Sequence, residues 1–195
     1  MDIIKKLAQE LAIKEEQAKA AVQLIDEGNT IPFIARYRKE MTGALNDETL
    51  RNLHERLLYL RNLEEKKEQV INAITDQGKM TEDLKKKILS AETLVAVDDL
   101  YRPYRPKKQT RATKAKEKGL EPLANILLLQ KTTKSMEEEA AAFVNAEKGV
   151  ANAKEAIAGA KDIIAEMIAD MADYRKSIRN CTMKQGSLVV KAKDE

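Results

Sequence analysis

The sequence has 195 residues, 34% of them charged, with a formal net charge of +3 and only 4% aromatics: five Tyr, two Phe and no Trp. That length suffices for one domain, or two small ones, with a real core, and 43% hydrophobic residues place the chain outside the disordered class. Scarce aromatic and alternating β-branched residues argue against a sandwich or barrel, no apolar run approaches the roughly 20 residues of a membrane span, and Met1-Asp2 opens without the basic flank and apolar core of a secretory signal.

A single cysteine, Cys181, excludes an intrachain disulfide and points to the reducing cytoplasm. Seven Gly and four Pro leave long stretches of helix formers. The expected fold is all-α: a multi-helix bundle around a long central helix, with a helix-turn-helix-like substructure. Four segments are expected: N-terminal helices over 1–45, the long helix and short helices over 46–100, a basic Pro/Arg/Lys segment over 101–118, and C-terminal helices over 119–195.

The first helix is expected over Asp2–Leu11, with Ile3, Ile4, Leu7 and Leu11 on one face. A second runs from Glu15 to Glu27 and stops at Gly28-Asn29. Two short helices across a brief turn suit either a DNA-reading helix-turn-helix or a plain helical hairpin. Thr30-Ile31-Pro32 reads as the start of a short helix with a basic end at Arg36, Arg38 and Lys39, broken by Met41-Thr42-Gly43.

Asn46 caps the longest element, and Asp47 and Glu48 favour its N-terminal dipole. That helix can extend to Gln77, 31 residues or about 46 Å. Its buried stripe is Leu50, Leu53, Leu57, Leu60, Leu63, then Val70 or Ile71, and Ile74, interrupted by Glu64-Glu65-Lys66-Lys67. A kink near Glu65, giving two helices, is the alternative.

Thr81–Ser90 is the next helix, carrying Leu84, Ile88 and Leu89, followed by Thr93–Leu100, which Pro103 and Pro106 should end. Thr110 caps a helix to Lys118, Gly119 ends it, and Glu121–Gln130 follows. Ser135 to Glu138 has capping-box spacing and opens a helix to about Glu147. Ala151–Ala172 is strongly helical, with Ile157, Ala160, Ile164, Met167 or Ile168, and Met171 on one side. The tail from Tyr174 is basic, with Leu188-Val189-Val190 its only apolar cluster, and its uncapped end has the look of a cut in a longer chain.

Charge is unevenly placed. Between Tyr101 and Lys118 eight cations (Arg102, Arg105, Lys107, Lys108, Arg111, Lys114, Lys116, Lys118) face one acid, a net of +7 in 18 residues, while the rest carries 27 cations against 31 acids. A basic stripe on an acidic body is the footprint of a phosphate-binding surface. Tyr101 and Tyr104 are placed to stack on bases or guanidinium groups, and Arg36, Arg38 and Lys39 extend the surface if folding brings the clusters together. The competing reading is structural: tyrosines in the core and arginines paired with Asp98 and Asp99.

Catalytic constellations are missing. His54 is the only histidine, beside Leu53, Leu57 and Leu58, and reads as a packed or half-exposed structural side chain. One His and one Cys cannot close a zinc site, and Gly78-Lys79-Met80-Thr81 lacks the upstream glycine of a phosphate loop. Neither an enzyme, a cofactor nor a metal is expected.

Thr30-Ile31-Pro32-Phe33-Ile34-Ala35-Arg36-Tyr37-Arg38-Lys39-Glu40, followed by Thr42-Gly43, resembles a signature of the Tex family of bacterial transcription accessory proteins. So do Asp99 through Lys107, Thr110-Arg111-Ala112-Thr113, Glu117 through Ala124, and Gly159 through Glu166. The resemblance implies a largely helical N-terminal region of a longer protein that continues into an RNase H-like domain, helix-hairpin-helix elements and an S1 domain, and is similar to a eukaryotic transcription elongation factor. It further implies that Arg102 through Lys118 is the family's basic loop, with Gln109 slightly weakening the run Lys107-Lys108-Gln109.

The expected function is a non-catalytic, nucleic-acid-binding and scaffolding region. Arg102, Arg105, Lys107, Lys108, Arg111, Lys114 and Lys116, with Tyr101, Tyr104, Arg36, Arg38 and Lys39, would contact DNA or RNA backbone. The resemblance adds the later domains of the same protein and the transcription machinery as partners. The alternative is a protein-interaction scaffold that docks the family's later domains or a transcription partner without touching nucleic acid, marked by an exposed apolar face.

Overall fold

The computed structural model describes residues 2–106 and 108–192. Among them the regular structure is helical, and the chain divides into two compact units, Met1–Val97 and Asp98–Glu195.

The first unit contains α1 (Ile3–Glu10), α2 (Glu15–Asp26), α3 (Ile31–Tyr37), α4 (Asp47–Asp76) and α5 (Glu82–Ser90), and α6 (Leu94–Tyr101) begins in it. Short polar side chains start these helices as the sequence implies. Asp2 accepts from the Lys5 N–H at 3.1 Å, Asn46 from the Thr49 N–H at 2.7 Å, and Thr81 from the Leu84 N–H at 3.2 Å. Pro32 sits in the first turn of α3, where its missing N–H is not needed.

The 30-residue α4 is the centre of this unit, and α1, α2, α3 and α5 all pack on it. Leu50, Leu53, Leu57, Leu60, Leu63, Val70 and Ile74 form its buried stripe. The helix is unbroken at Glu65, and the charged stretch does not interrupt the stripe. Lys67 takes the missing position, only 3% exposed, with Nζ donating to Glu64 Oε1 and the Leu89 carbonyl, both at 2.9 Å. A buried ammonium is tolerable only with such partners. Leu89, one of the apolar residues carried by α5, is exposed at its side chain while its carbonyl holds Lys67.

Two bidentate ion pairs fasten the first helices to α4. Arg56 donates to Glu10 through Nε at 2.5 Å and Nη2 at 2.9 Å, and Arg61 donates twice to Asp26, both at 2.8 Å. α1 and α2 pack on each other and on α4 as a helical pair.

The second unit is organised by α10 (Ala153–Asp170), against which α7 (Arg111–Glu117), α8 (Glu121–Leu129), α9 (Met136–Ala141) and α11 (Ala172–Gln185) pack. Its core is made of small and medium side chains, among them Ala115, Leu123, Ala156, Ala160 and Ile163. Small residues bring α7 and α10 close: a Cβ on Gly159 would collide with Leu120 Cδ1 and meet Ala115 Cβ at 3.2 Å.

Several expectations are corrected here. α6 passes Leu100 and runs into a 3-10 turn, Arg102–Tyr104, which contains Pro103; the extended Arg105 before Pro106 is the actual stop. α9 ends at Ala141 rather than near Glu147. The chain there folds into a tight turn closed by reciprocal backbone bonds between Asn145 and Val150, at 3.0 and 2.9 Å, with Gly149 at φ +70°. α10 stops at Asp170 because Met171 is extended, and it buries Ala156, Ile157, Ala160 and Ile163 while Met167, Ile168 and Met171 are exposed. The basic part of the tail forms the helix α11, which starts directly after the extended Met171 without a side-chain cap.

Candidate nucleic-acid interface

The described part of the basic segment consists of the end of α6, the 3-10 turn, the extended residues Arg105 and Thr110, and α7. Thr110 closes a capping box with Thr113 and also donates to Glu166 Oε2 at 2.9 Å, which ties the start of α7 to α10.

The cations divide into two sets. Arg102 Nε donates to Asp170 Oδ1 at 2.9 Å, and Arg105 Nη2 to Asp98 Oδ1 at 3.1 Å, with the Arg105 guanidinium 5.5 Å from the Tyr101 ring centre. Tyr101 and Tyr104 are half-buried, and the Tyr101 ring is engaged by Arg105. Asp99 is buried and takes neither of these arginines. It accepts from Arg175 Nε at 2.6 Å and from Arg179 Nη2, so it holds α11 instead.

The second set is loosely held. Arg111, 88% exposed at its side chain, lies 3.7 Å from Asp162, and Lys116 lies 3.7 Å from Glu121. Both separations exceed hydrogen-bonding distance. Lys108 and Lys114 are exposed and have no ion pair among the described residues. Lys118 donates to the Gly149 carbonyl at 2.7 Å, and that neutral acceptor leaves its charge uncompensated. Lys107 lies outside the described residues.

Two grooves flank the segment. One, of about 320 Å³, is lined by Arg102, Arg105, Pro106, Lys108, Thr110, Glu166, Ala169 and Asp170. The other, of about 250 Å³, lies between α7 and α10. Arg36, Arg38 and Lys39 are exposed at the end of α3 in the first unit, where Arg38 donates to the Tyr37 carbonyl at 3.3 Å and covers the Phe33 ring at 5.1 Å. Among the described residues no group of three His, Cys, Asp or Glu side chains converges as a metal site would require, and no helix is long and apolar enough to cross a membrane.

The sequence reading gave no part to the α10 side of the second groove, or to Asp170 as the partner of Arg102. The available signals were weak: Ala158-Gly159 beside Asp162 in an alanine-rich helix, and an isolated acid at the end of that helix.

Comparison with known proteins agrees with the motifs. The family model for the Tex-like protein N-terminal domain matches residues 1–75, and that for the Tex central region-like domain matches residues 131–195. The chain is similar to Protein YhgF of Escherichia coli, 47% identical over 183 residues that make up 94% of this chain and 24% of that protein. It is similar to the Transcriptional accessory protein Tex of Neisseria gonorrhoeae, 43% identical over 92% of this chain and 23% of that protein. A more distant relative is the human S1 RNA-binding domain-containing protein 1, 32% identical over 94% of this chain and 18% of that protein. The chain thus spans about a quarter of the length of its bacterial relatives.

Proposed function

The chain belongs to the Tex-like protein family, and from that premise we propose that it is a non-catalytic, nucleic-acid-binding and scaffolding region of a cytoplasmic transcription accessory protein. The observation that carries this reading is the loosely held set of cations: Lys108, Arg111, Lys114 and Lys116 are exposed and weakly paired on one segment of an otherwise acidic chain. Such side chains neutralise phosphates and release counterions, a contribution that is largely independent of base sequence. The partners are DNA or RNA through the backbone, together with the remaining length of the family's proteins and the transcription machinery.

A salt titration with labelled oligonucleotides tests this. With three to five phosphates engaged, log K for duplex DNA should fall with log salt at a slope of about −3 to −4.5. Reversing Lys108, Lys114 and Lys116 to Glu should flatten it. No binding by the wild-type chain at low salt contradicts the reading.

A second reading has its own support. Ile178, Met183, Leu188, Val189 and Val190 are all strongly exposed, with Leu188 at 93%. Large apolar side chains left in solvent in this number favour a protein-docking role for the end of the chain. Binding of a protein partner that is lost in Ile178→Ser with Val190→Ser, in a chain that binds no nucleic acid, would favour a docking scaffold.

A further inference from the structure

The groove between α7 and α10 differs from the rest of the basic segment in having two chemically distinct walls. Arg111, Lys114 and Lys118 line it from the α7 side, and Glu155, Ala158, Gly159 and Asp162 from the α10 side. Ala115 and Gly159 keep the floor low, and exposed Ala158 leaves the α10 rim open. Lys118 is aimed across the end of the groove by its bond to the Gly149 carbonyl.

A bare anion uses only the cationic wall and is repelled by the carboxylates opposite. A ligand with phosphates along one edge and hydroxyl donors along the other satisfies both. We infer that this groove seats the ribose–phosphate backbone of one RNA strand, with phosphates on Arg111, Lys114 and Lys118 and a 2′-hydroxyl donating to Asp162. This rests on the nucleic-acid reading above and narrows it to a place and a sugar. The 2′-hydroxyl is the group by which a protein separates RNA from DNA at a given site, and Asp162 has acceptor capacity to spare because Arg111 stands 3.7 Å away. Arg102 and Arg105 are then the fasteners that position the segment, and the α7 cations are its contacts.

The test uses the 195-residue chain with single-stranded RNA and DNA oligonucleotides of identical sequence, circular dichroism confirming helicity in every variant. The wild type should bind RNA more tightly than DNA. Lys114→Glu with Lys118→Glu should weaken both and make the salt slope shallower by about 1.4, two phosphates' worth for a single strand. Ala158→Glu, which fills the rim without touching the core, should weaken both while leaving α7 intact. Asp162→Ala should bring the RNA-to-DNA affinity ratio close to one, whereas Asp162→Asn, whose Oδ1 still accepts from a hydroxyl, should keep the ratio above one; the two variants carry the same charge, so overall charge does not separate them. If the wild type binds neither strand, the underlying nucleic-acid reading fails. If it binds and the groove variants match it, or if the ratio is one from the start, nucleic acid lies elsewhere on the chain or the sugar is not read, and this inference is overturned.

Discussion

Arg102 Nε and Asp170 Oδ1 stand 2.9 Å apart, joining the turn after α6 to the last residue of α10. Asp170 is nearly buried, so losing this donor strips it of a charged hydrogen bond. Arg102→Ala should cost about 1–3 kcal/mol in urea unfolding, and Arg102→Glu more, because it sets two carboxylates against each other. Oligonucleotide affinity of the folded fraction should change little in Arg102→Ala. A fully stable Arg102→Glu chain would mean that the pair holds nothing together.

Lys67 gives a sharper stability prediction. Its ammonium is buried on the core stripe of α4 between Glu64 Oε1 and the Leu89 carbonyl. Lys67→Met keeps the volume but removes the donor that both the Leu89 carbonyl and Glu64 accept from, so it should destabilise by about 1–3 kcal/mol in thermal melts. Lys67→Glu places a second carboxylate beside Glu64 and should destabilise by about 3 kcal/mol or more. Similar melting of the two variants would contradict the buried placement.

The acid response of the first unit follows from two carboxylates. The side-chain hydrogen bond from Arg56 holds the Glu10 carboxyl below its usual range, and that from Arg61 does the same for Asp26. A depressed carboxylate stabilises the folded chain above its unfolded value, and that contribution is lost as pH falls through the lowered folded value. Stability should therefore be level near neutrality and decline below about pH 5. Both pairs are partly exposed, so each is worth about 0.2–1 kcal/mol. Glu10→Gln with Asp26→Asn should lower stability at neutral pH and flatten the acid decline, as read by unfolding curves across the range.

Much of this was legible in the residues. Asn46, Thr81, Thr110 and Ser135 marked helix starts because a short polar side chain can satisfy an orphan N–H only there. Leucines at spacings of three and four fixed the buried face of α4. Lys67 was misread because hydropathy assigns a lysine to solvent, and only a third element, α5, brings the carbonyl that makes its burial tolerable. α11 was missed for the opposite reason: it buries no side chain and is held by Arg175 and Arg179 on Asp99, a pairing about 80 residues away in sequence that no local pattern reveals. The basic segment was visible as charge. Arg105 on Asp98 lay within the structural reading of the arginines, but Arg102 on Asp170 did not, because only the fold brings that distant acid beside it.

The most direct measurement is a residue-resolved amide spectrum of the isotopically labelled chain titrated with a single-stranded RNA oligonucleotide. Shifts should concentrate at residues 108–118, at Gly149 and Val150, and at residues 155–162, and fade as salt rises. An unchanged spectrum, or shifts confined to α11 and Leu188 to Val190, would contradict the nucleic-acid reading and leave this region as a protein-docking scaffold.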